Sequence, residues 1–224
     1  MKKFAVIVAG GMGSRMKTTL PKQFLVLHKK PVLFYAIEAF LKAYEDCNVI
    51  VVLPKTHMDA GKDIIQNYFR DKPVKVALGG ATRFHSVQNG LKEVEEGSIV
   101  FVHDAVRCTI SKELIRRCYL GALEYGSAVP VIDCKDSVRL LTDEGNMPLN
   151  RTNVKLVQTP QTFKASILLP AFDTAYDEKF TDEATVAEAF GIPIHLVPGE
   201  ENNIKITHHV DLELAENILN ERNG

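Results

Sequence analysis

The fold is decided by the stretch KKFAVIVAGGMGSRMKTTLPKQF, residues 2–24. It begins with a continuous apolar, β-branched run, which is typical of a strand buried on both faces, and this run ends in a glycine-rich turn. Such a turn brings backbone N–H groups close to an anion, and Arg15 and Lys22 add positive charge to the same short loop. The stretch therefore predicts a first strand that leads directly into a polyphosphate site.

Short β-branched runs alternate with segments of helical period along the rest of the chain. The strand candidates are FAVIVA, NVIVVLP, VKVAL, SIVFVHD, SAVPVI, VKLVQTP and IPIHLVPG. Two apolar stripes at spacings of three and four predict helices, the second after an N-cap at Ser111: Phe84, Val87, Leu91 and Val94, then Leu114, Ile115, Cys118 and Ala122. This alternation predicts an α/β fold with a mostly parallel sheet, helices on both faces and ligands beyond the carboxyl ends of the strands.

Length and composition limit the classes of protein. With 224 residues, of which 46% are hydrophobic, the chain can build one large core, so we expect a single domain over residues 1–224. A net charge of -1 provides no global field for nucleic acid or an anionic membrane. The opening apolar run is shorter than a signal peptide needs, and no segment approaches the ~20 apolar residues of a membrane span. The four cysteines form no C-x-x-C pair, which predicts a reducing compartment, the cytoplasm: Cys47, Cys108, Cys118 and Cys134.

The alternation breaks after SAVPVI. There the extended runs SVRLL and MPLNR flank the turn-forming TDEGN with no helical pattern between them, so residues 136–153 are predicted to form a protruding β-hairpin arm. An isolated hairpin is marginal in water, and this one carries Val138, Leu140, Leu141, Met147 and Leu149. We therefore expect the arm to pack against a second copy of the chain in a homodimer.

Neither standard phosphate motif fits the opening loop. The run GMGSRM has methionine where G-x-G-x-x-G needs its third glycine, and G-x-x-x-x-G-K-[ST] does not occur. Glycines alone are compatible with an ordinary tight turn and solvated cations, but the addition of Arg15 and Lys22 favours an anion site. A second glycine turn, GGATRFHS, offers the Ser86 hydroxyl to a base or sugar, although it is equally compatible with an ordinary turn.

Asp104 stands at the end of the run FVHD, where its carboxylate would face the cleft. It can bind Mg²⁺ or a ribose hydroxyl there, or it can cap the next turn or pair with Arg107. His103 is typical of a satisfied core histidine, and the adjacent His208 and His209 lack a third metal ligand. Neither a Ser-His-Asp order nor an H-E-x-x-H motif is present, so the sequence offers no support for hydrolase chemistry.

Nine motifs occur in one order: AGGMGSRM, LPKQ, GGATR, HSV, VHDAVR, DSVR, QTPQTF, TDEA and NNIKIT. In this the chain resembles the 2-C-methyl-D-erythritol 4-phosphate cytidylyltransferases of the non-mevalonate isoprenoid pathway, from about Phe4 to Ala215. The resemblance implies a Rossmann-like sheet, a homodimer joined through the arm, and CTP with Mg²⁺. The implied products are CDP-methylerythritol and pyrophosphate.

The resemblance also implies roles for individual residues. Arg15 and Lys22 match the pair that stabilises the reacting triphosphate, and Arg151 and Lys205 match the groups that orient the nucleophilic phosphate. The nucleotide and its metal would lie against Ala9, Gly10, Gly11, Gly79, Gly80, Ser86, Asp104 and Ala105, with Asp104 as the acid near the metal. The sugar phosphate would contact Arg107, Ser137 and Thr159, with Ser137 and Arg151 reaching the partner subunit's site from the arm.

Two departures and two alternatives accompany this resemblance. Cys108 stands where many members have proline, and the segment VIDCKDSV leaves the register of the arm open. Ribitol 5-phosphate cytidylyltransferases share the reaction and the nucleotide, with a linear acceptor. A non-catalytic nucleotide-binding module would keep the glycine turns but lose the cations, all of which are present here.

Overall fold

A computed structural model describes residues 1–10 and 20–223 of the chain. The elements in chain order are β1 (Lys3–Val8), β2 (Val26–Leu27), β3 (Lys30–Pro31), α1 (Val32–Ala43), β4 (Cys47–Leu53), α2 (Met58–Tyr68), β5 (Val74–Leu78), α3 (Arg83–Leu91), β6 (Ile99–Asp104), α4 (Lys112–Tyr125), β7 (Ser127–Asp133), β8 (Val138–Thr142), β9 (Gly145–Leu149), β10 (Lys155–Val157), β11 (Gln161–Lys164), α5 (Ala165–Ala171), α6 (Glu183–Ala189), β12 (Leu196–Pro198) and α7 (His209–Asn223). Short 3-10 turns occupy Lys22–Phe24, Lys55–His57 and Arg151–Asn153.

The central sheet is mostly parallel, as predicted. Strand β1 lies between β4 and β6 and is parallel to both, and β5 extends the parallel set beyond β4. Strand β11 runs antiparallel between β6 and β7, while β7 also pairs with β10 and β12. The register places Val8, the last residue of β1, beside Asp104, the last residue of β6. The glycine turn that follows β1 therefore begins at the same edge of the sheet as Asp104, the acid that ends β6.

Apolar residues of β1 enter two cores, one on each face of the sheet. Phe4 and Val6 pack with residues of α3, α5 and α6, whereas Ala5 and Ile7 pack with residues of α1, α2, α4 and α7. This period of two follows from the pleat of a strand, and burial on both faces explains the continuous apolar run in the sequence. The predicted layer of helices on each face of the sheet is confirmed.

Both predicted helical stripes are buried, and both helices begin at capped residues. The hydroxyl of Ser111 accepts the backbone N–H of Leu114 at 3.0 Å, as expected of an N-cap. Helix α4 ends at Tyr125 and is followed by its C-cap, Gly126, which adopts φ +89°, a conformation that glycine tolerates best. Helix α3 begins after Thr82, whose hydroxyl accepts the backbone N–H of His85.

The predicted arm is a two-stranded hairpin of β8 and β9, separate from the central sheet. Several of its apolar side chains face solvent in the single chain, with Leu141 80% and Met147 50% exposed. The hairpin itself is therefore confirmed, whereas its use in dimerisation stays a prediction.

The cysteines are reduced, and Cys47, Cys108 and Cys118 are buried. Within residues 1–10 and 20–223, no helix has both the length and the apolar character needed to cross a membrane.

Candidate active site

Three chain turns leave the carboxyl edge of the sheet side by side. The backbone N–H groups of Ala9, Gly79 and Ala105 each donate to a carbonyl of the neighbouring strand, at 2.9, 2.8 and 3.0 Å. These hydrogen bonds fix the start of each turn against the next strand. Residues predicted from three separate motifs are thus brought to one edge.

The two glycine turns meet at Ser86. Its hydroxyl accepts the backbone N–H of Gly80 at 3.1 Å and donates to a carbonyl of the same turn at 2.9 Å. A Cβ added to Gly10 would lie 3.6 Å from this hydroxyl oxygen, and one added to Gly79 would lie 3.2 Å from it. At Gly80 an added Cβ would lie 2.3 Å from Cβ of His85, so only glycine fits there. The described glycines of both turns, Gly10, Gly79 and Gly80, therefore lie close to Ser86 with no side chain of their own between them.

Asp104 is the centre of the charged part of the site. One oxygen, Oδ2, accepts from Nζ of Lys205 at 2.7 Å, and Oδ1 lies 3.4 Å from Nε and Nη2 of Arg83. Burial alone would raise the pKa of Asp104, but the positive charges of Arg83 and Lys205 outweigh it and hold the pKa well below its ordinary value. The carboxylate is therefore ionised, and it pairs with Arg83 and Lys205 rather than with Arg107, the partner considered from the sequence.

Sequence reasoning missed the partner of Arg83, which is Glu183. Nη1 and Nη2 of Arg83 donate to the two oxygens of Glu183 at 2.5 and 3.1 Å, and Glu183 is fully buried. Burial raises the pKa of Glu183, although the positive charge of Arg83 opposes this effect. Burial alone would lower the pKa of Arg83, but the charges of Glu183 and Asp104 outweigh it and raise this pKa. Both residues lie within recognised motifs, GGATR and TDEA, but an acid in the first turn of a helix is also typical of an ordinary dipole partner.

Strand β11 fixes the start of α6, and with it Glu183. The side chain of Gln161 donates to Asp182 at 2.8 Å and accepts the backbone N–H of Ala184 at 2.8 Å. Asp182 is the N-cap of α6 and forms a capping box with Thr185. The segment QTFK that forms this strand was not among the predicted strands.

A buried chain of hydrogen bonds supports Asp104 from behind. The hydroxyl of Thr159 accepts the backbone N–H of Asp104 at 3.1 Å and lies 3.0 Å from Nδ1 of His103. Nε2 of His103 lies 3.1 Å from the carbonyl of Arg107, and burial lowers the pKa of this histidine to about 4. A neutral imidazole that donates from Nε2 and accepts at Nδ1 satisfies both contacts. His103 is thus a core histidine, as predicted.

Arg107 is held by main-chain carbonyls rather than by an acid. It donates to the carbonyls of Asn203 at 2.7 Å and Val157 at 3.4 Å, and burial lowers its pKa. Asn203 in turn donates to the carbonyl of Thr159 at 2.8 Å. Among the described residues, Nε of Arg107 and Oδ1 of Asn203 are buried without a hydrogen-bond partner. These orphaned groups are suited to a polar ligand or to water.

Lys22 is buried, and Nζ donates to the carbonyl of Thr207 at 2.8 Å. Its neighbour Gln23 donates to the carbonyl of Ala9 at 2.7 Å, which ties this turn to the end of β1. The backbone after Lys205 is fixed by Asp211, which accepts from Thr207 and the residue after it at 2.7–2.8 Å. Lys22 and Lys205 are thereby brought to the same side of the sheet edge.

The arm residues are not joined to this cluster in the single chain. Arg151 is exposed and donates to the carbonyl of Lys135 at 2.7 Å, and Ser137 is exposed. Neither forms a hydrogen bond or ion pair with Asp104 in the part of the chain that the structure describes. Arg15 and Gly11, which were predicted to contact the nucleotide, lie outside the described residues.

The arrangement favours a polyanion with an associated cation. Among the described residues, Arg83 and Lys205 pair with the carboxylates Asp104 and Glu183, and two further cations, Lys22 and Arg107, are held by main-chain carbonyls. No group of three His, Cys, Asp or Glu side chains suited to a metal occurs within residues 1–10 and 20–223. A magnesium ion bound with a nucleotide needs only one or two carboxylates besides phosphate oxygens and water, so Asp104 fits that requirement.

Comparisons with known proteins agree with this geometry. The family model of 2-C-methyl-D-erythritol 4-phosphate cytidylyltransferases matches residues 4–221. A protein of that name from Bacteroides thetaiotaomicron is 44% identical over 98% of this chain and 100% of its own length. One from Porphyromonas gingivalis is 39% identical over 97% of this chain and 98% of its own.

Comparison with solved structures agrees with the comparison of sequences. The crystal structure of the enzyme of this name from Thermus thermophilus is 30% identical, with a TM-score of 0.78 over 98% of this chain and 100% of that chain. A 4-diphosphocytidyl-2C-methyl-D-erythritol synthase from Anaerococcus prevotii is 27% identical, with a TM-score of 0.82 over 97% and 95%. By sequence and by fold, the chain belongs to the 2-C-methyl-D-erythritol 4-phosphate cytidylyltransferase family.

Proposed function

We propose that the cluster around Asp104 is where this enzyme transfers a cytidylyl group from CTP to 2-C-methyl-D-erythritol 4-phosphate. The products are pyrophosphate and CDP-methylerythritol, a precursor in isoprenoid biosynthesis. The observation that carries the site assignment is the Asp104 carboxylate, ionised between Lys205 and Arg83 beside two glycine turns at one sheet edge. In this proposal residues 1–224 are a single nucleotidyltransferase domain, and residues 136–153 are its dimerisation arm.

The chemistry explains why the site contains cations and no general base. A phosphate monoester has a second pKa near ~6, so the attacking oxygen is already largely ionised at neutral pH. The barrier consists of the repulsion between two polyanions, their alignment and the charge that builds on the transferred group. The neutral, enclosed His103 is consistent with this, because its ring nitrogens are occupied by Thr159 and the carbonyl of Arg107.

On the nucleotide side, the two glycine turns would accept the cytidine and the triphosphate. The residues assigned to this side are Ala9, Gly10, Gly11, Gly79, Gly80, Ser86, Asp104 and Ala105, with Arg15 and Lys22 on the phosphates. Asp104 would hold Mg²⁺, which would supply positive charge to neutralise the phosphates. Lys22 would exchange the carbonyl of Thr207 for a phosphate oxygen.

On the acceptor side, Lys205 and Arg107 lie near one another around Asp104 and Asn203 and would bind the phosphate of the sugar alcohol. Thr159 would contribute to the same wall, mainly by holding Asp104 in place. Arg151 and Ser137 would come from the arm of the partner subunit. The exposed apolar side chains of the arm support dimerisation because a hairpin of this kind is marginally stable alone.

A pyrophosphate-release assay tests the assignment of the acceptor. With CTP and Mg²⁺, we expect release that depends on methylerythritol phosphate. Faster release with ribitol 5-phosphate would favour the alternative acceptor, and CTP binding without release would indicate a binding module. The relatives of 39–44% identity carry the methylerythritol name and support the first outcome.

Variants of the two phosphate cations test the site. Lys22→Ala and Arg15→Ala should each lower turnover by about 100-fold or more, the effect of losing one preorganised charge. Lys62→Ala is the control, because this exposed lysine on α2 pairs with Asp59 on its own helix. Near-parental turnover in both active-site variants would refute the assignment.

Mixed dimers test the arm. A chain with Arg151→Ala has an intact core, and a chain with Lys205→Ala has an intact arm, so a mixed dimer would contain one complete site. If the arm reaches the partner, mixing equal amounts of the two inactive variants after unfolding should restore about a quarter of parental activity. Activity that stays at the level of the separate variants would contradict the shared site. The reducing compartment inferred from the cysteines stays a prediction.

A further inference from the structure

Arg83 lies between two carboxylates and binds them unequally. Both oxygens of Glu183 accept from its Nη atoms, at 2.5 and 3.1 Å, whereas Oδ1 of Asp104 lies 3.4 Å from Nε and Nη2. The side chain of Glu183 is 0% exposed, whereas that of Arg83 is 30% exposed. Glu183 therefore has no surface with which to touch a substrate, and it influences the cleft through Arg83.

Lys205, the second cation on Asp104, differs from Arg83 in how it is bound and in how exposed it is. Nζ of Lys205 lies 2.7 Å from Oδ2 of Asp104, and the lysine side chain is 48% exposed. A lysine is a point charge on a flexible stem and can change partners readily, whereas an arginine bound by both oxygens of a carboxylate is fixed in plane and direction. If Arg83 moved away, it would leave Glu183 buried and unpaired, which is strongly unfavourable. Of the two cations, Lys205 is the one that can leave.

We propose that Glu183 and Arg83 form a fixed pair that keeps Asp104 compensated while Lys205 moves from this carboxylate to the phosphate of the acceptor. This inference rests on the proposed function, in which Lys205 binds the phosphate monoester. Arg83 stays beside the enclosed Asp104 when Lys205 leaves. Without Arg83, only Lys205 and the Mg²⁺ of the proposed function would compensate this carboxylate, and Lys205 would be held more firmly. Glu183 and Arg83 are thus positioning residues, since they act on the acceptor through Asp104 and Lys205.

The test separates this role from a purely structural one by removing the whole buried pair. The double variant Arg83→Met/Glu183→Leu replaces both partners with apolar side chains of similar volume, a change that often preserves stability. Its unfolding midpoint should stay within about 5 °C of the parent, whereas Arg83→Met alone should lie lower because it leaves Glu183 unpaired.

KM for the acceptor should change in the double variant even though its stability does not. In the double variant Lys205 remains on Asp104, so KM for methylerythritol phosphate should rise by about tenfold or more, within the usual range of coupling between neighbouring groups. The dissociation constant for CTP, measured by calorimetry, should change by less than about threefold. If KM for the acceptor returns to the parental value together with the stability, the pair is structural and the proposal is overturned.

A double-mutant cycle identifies the route of the effect. In a Lys205→Ala background, the Arg83→Met/Glu183→Leu change should raise KM for the acceptor by less than about twofold, because its target is gone. An equal rise in both backgrounds would overturn the proposal. If the double variant does not fold, the Arg83→Lys variant takes its place in the test. One ammonium group cannot bind both carboxylates as the guanidinium does, so KM for the acceptor should rise in this variant too.

The proposed function and this inference fail in different ways. A parental enzyme without acceptor-dependent pyrophosphate release refutes the function, and the inference with it. An active parent whose Arg83→Lys and double variants keep the parental KM refutes the inference alone.

Discussion

Thr159→Val removes a single hydroxyl that two groups of the site use. That hydroxyl accepts the backbone N–H of Asp104 at 3.1 Å and contacts Nδ1 of His103 at 3.0 Å, and Thr159 is 5% exposed. Valine has nearly the same shape, so the change leaves no cavity. It leaves two buried polar groups without partners.

The magnitude follows from those two groups. Each unsatisfied buried donor or acceptor costs about 1–3 kcal/mol, so the free energy of unfolding should fall by about 2–6 kcal/mol. For a chain of this length, 1 kcal/mol corresponds to about 2–4 °C, so the unfolding midpoint should fall by at least about 4 °C. Turnover should fall as well, because the hydroxyl fixes the backbone from which the Asp104 carboxylate projects.

Urea unfolding and differential scanning calorimetry measure the stability, and pyrophosphate release measures the turnover. Thr159→Ser is the matched control: it keeps the hydroxyl and loses one methyl group, which costs about 1 kcal/mol. If the valine variant were as stable as the serine variant, or more stable, the hydrogen-bond argument would be wrong.

Three further predictions address other parts of the molecule. Gly80→Ala should lower the unfolding midpoint because its Cβ would lie 2.3 Å from Cβ of His85, whereas Gly10→Ala, with its nearest neighbour at 3.6 Å, should fold normally; thermal melts compare the two. Asp211→Ala should lower the free energy of unfolding by about 1 kcal/mol at pH 7, the usual scale of a lost helix-start acceptor. Burial would raise the pKa of Asp211, but hydrogen bonds outweigh it and lower this pKa in the folded chain. The stabilisation by Asp211 should therefore be lost as the pH falls below 3.8, and urea titrations at pH 7 and pH 3 would measure the loss. Cys134 should react with a thiol reagent before the three buried cysteines, whose pKa values burial raises to about 12; mass spectrometry of the labelled peptides checks the order.

The fold was largely predictable because its signals are local. The apolar runs that form β1, β4 and β6 are continuous, and the stripes of α3 and α4 keep a strict helical spacing. Strand β11 was not predicted, since QTFK is only four residues long and its strand pairing depends on β6 and β7, which are distant in sequence. A short strand that forms because it pairs with distant strands has no periodic pattern of its own, so the local sequence does not predict it.

The sequence predicted many residues of the site but not which of them form ion pairs with one another. Lys205 and Asp104 were both candidates, yet their ion pair spans 101 positions of chain and depends on how the loop before α7 folds back over β6. In the sequence Glu183 is indistinguishable from an ordinary first-turn acid, because sequence alone does not show that α6 buries that turn against Arg83. Helix starts with acids are common, and only tertiary packing distinguishes an exposed one from a buried ion pair.

Four cations in the described part of the site are already bound by oxygens of the protein before any phosphate arrives. Two are held by main-chain carbonyls and two by carboxylates: Lys22, Arg107, Arg83 and Lys205. Holding them restricts their side chains in the free enzyme, so less conformational entropy is lost when a phosphate replaces a carbonyl. A carbonyl is a neutral acceptor, and a charged phosphate oxygen forms the stronger hydrogen bond, so the exchange favours the substrate. Arg83 differs from the other three because both oxygens of a fully buried carboxylate, Glu183, hold it, which makes it the fixed cation beside which the others can exchange partners.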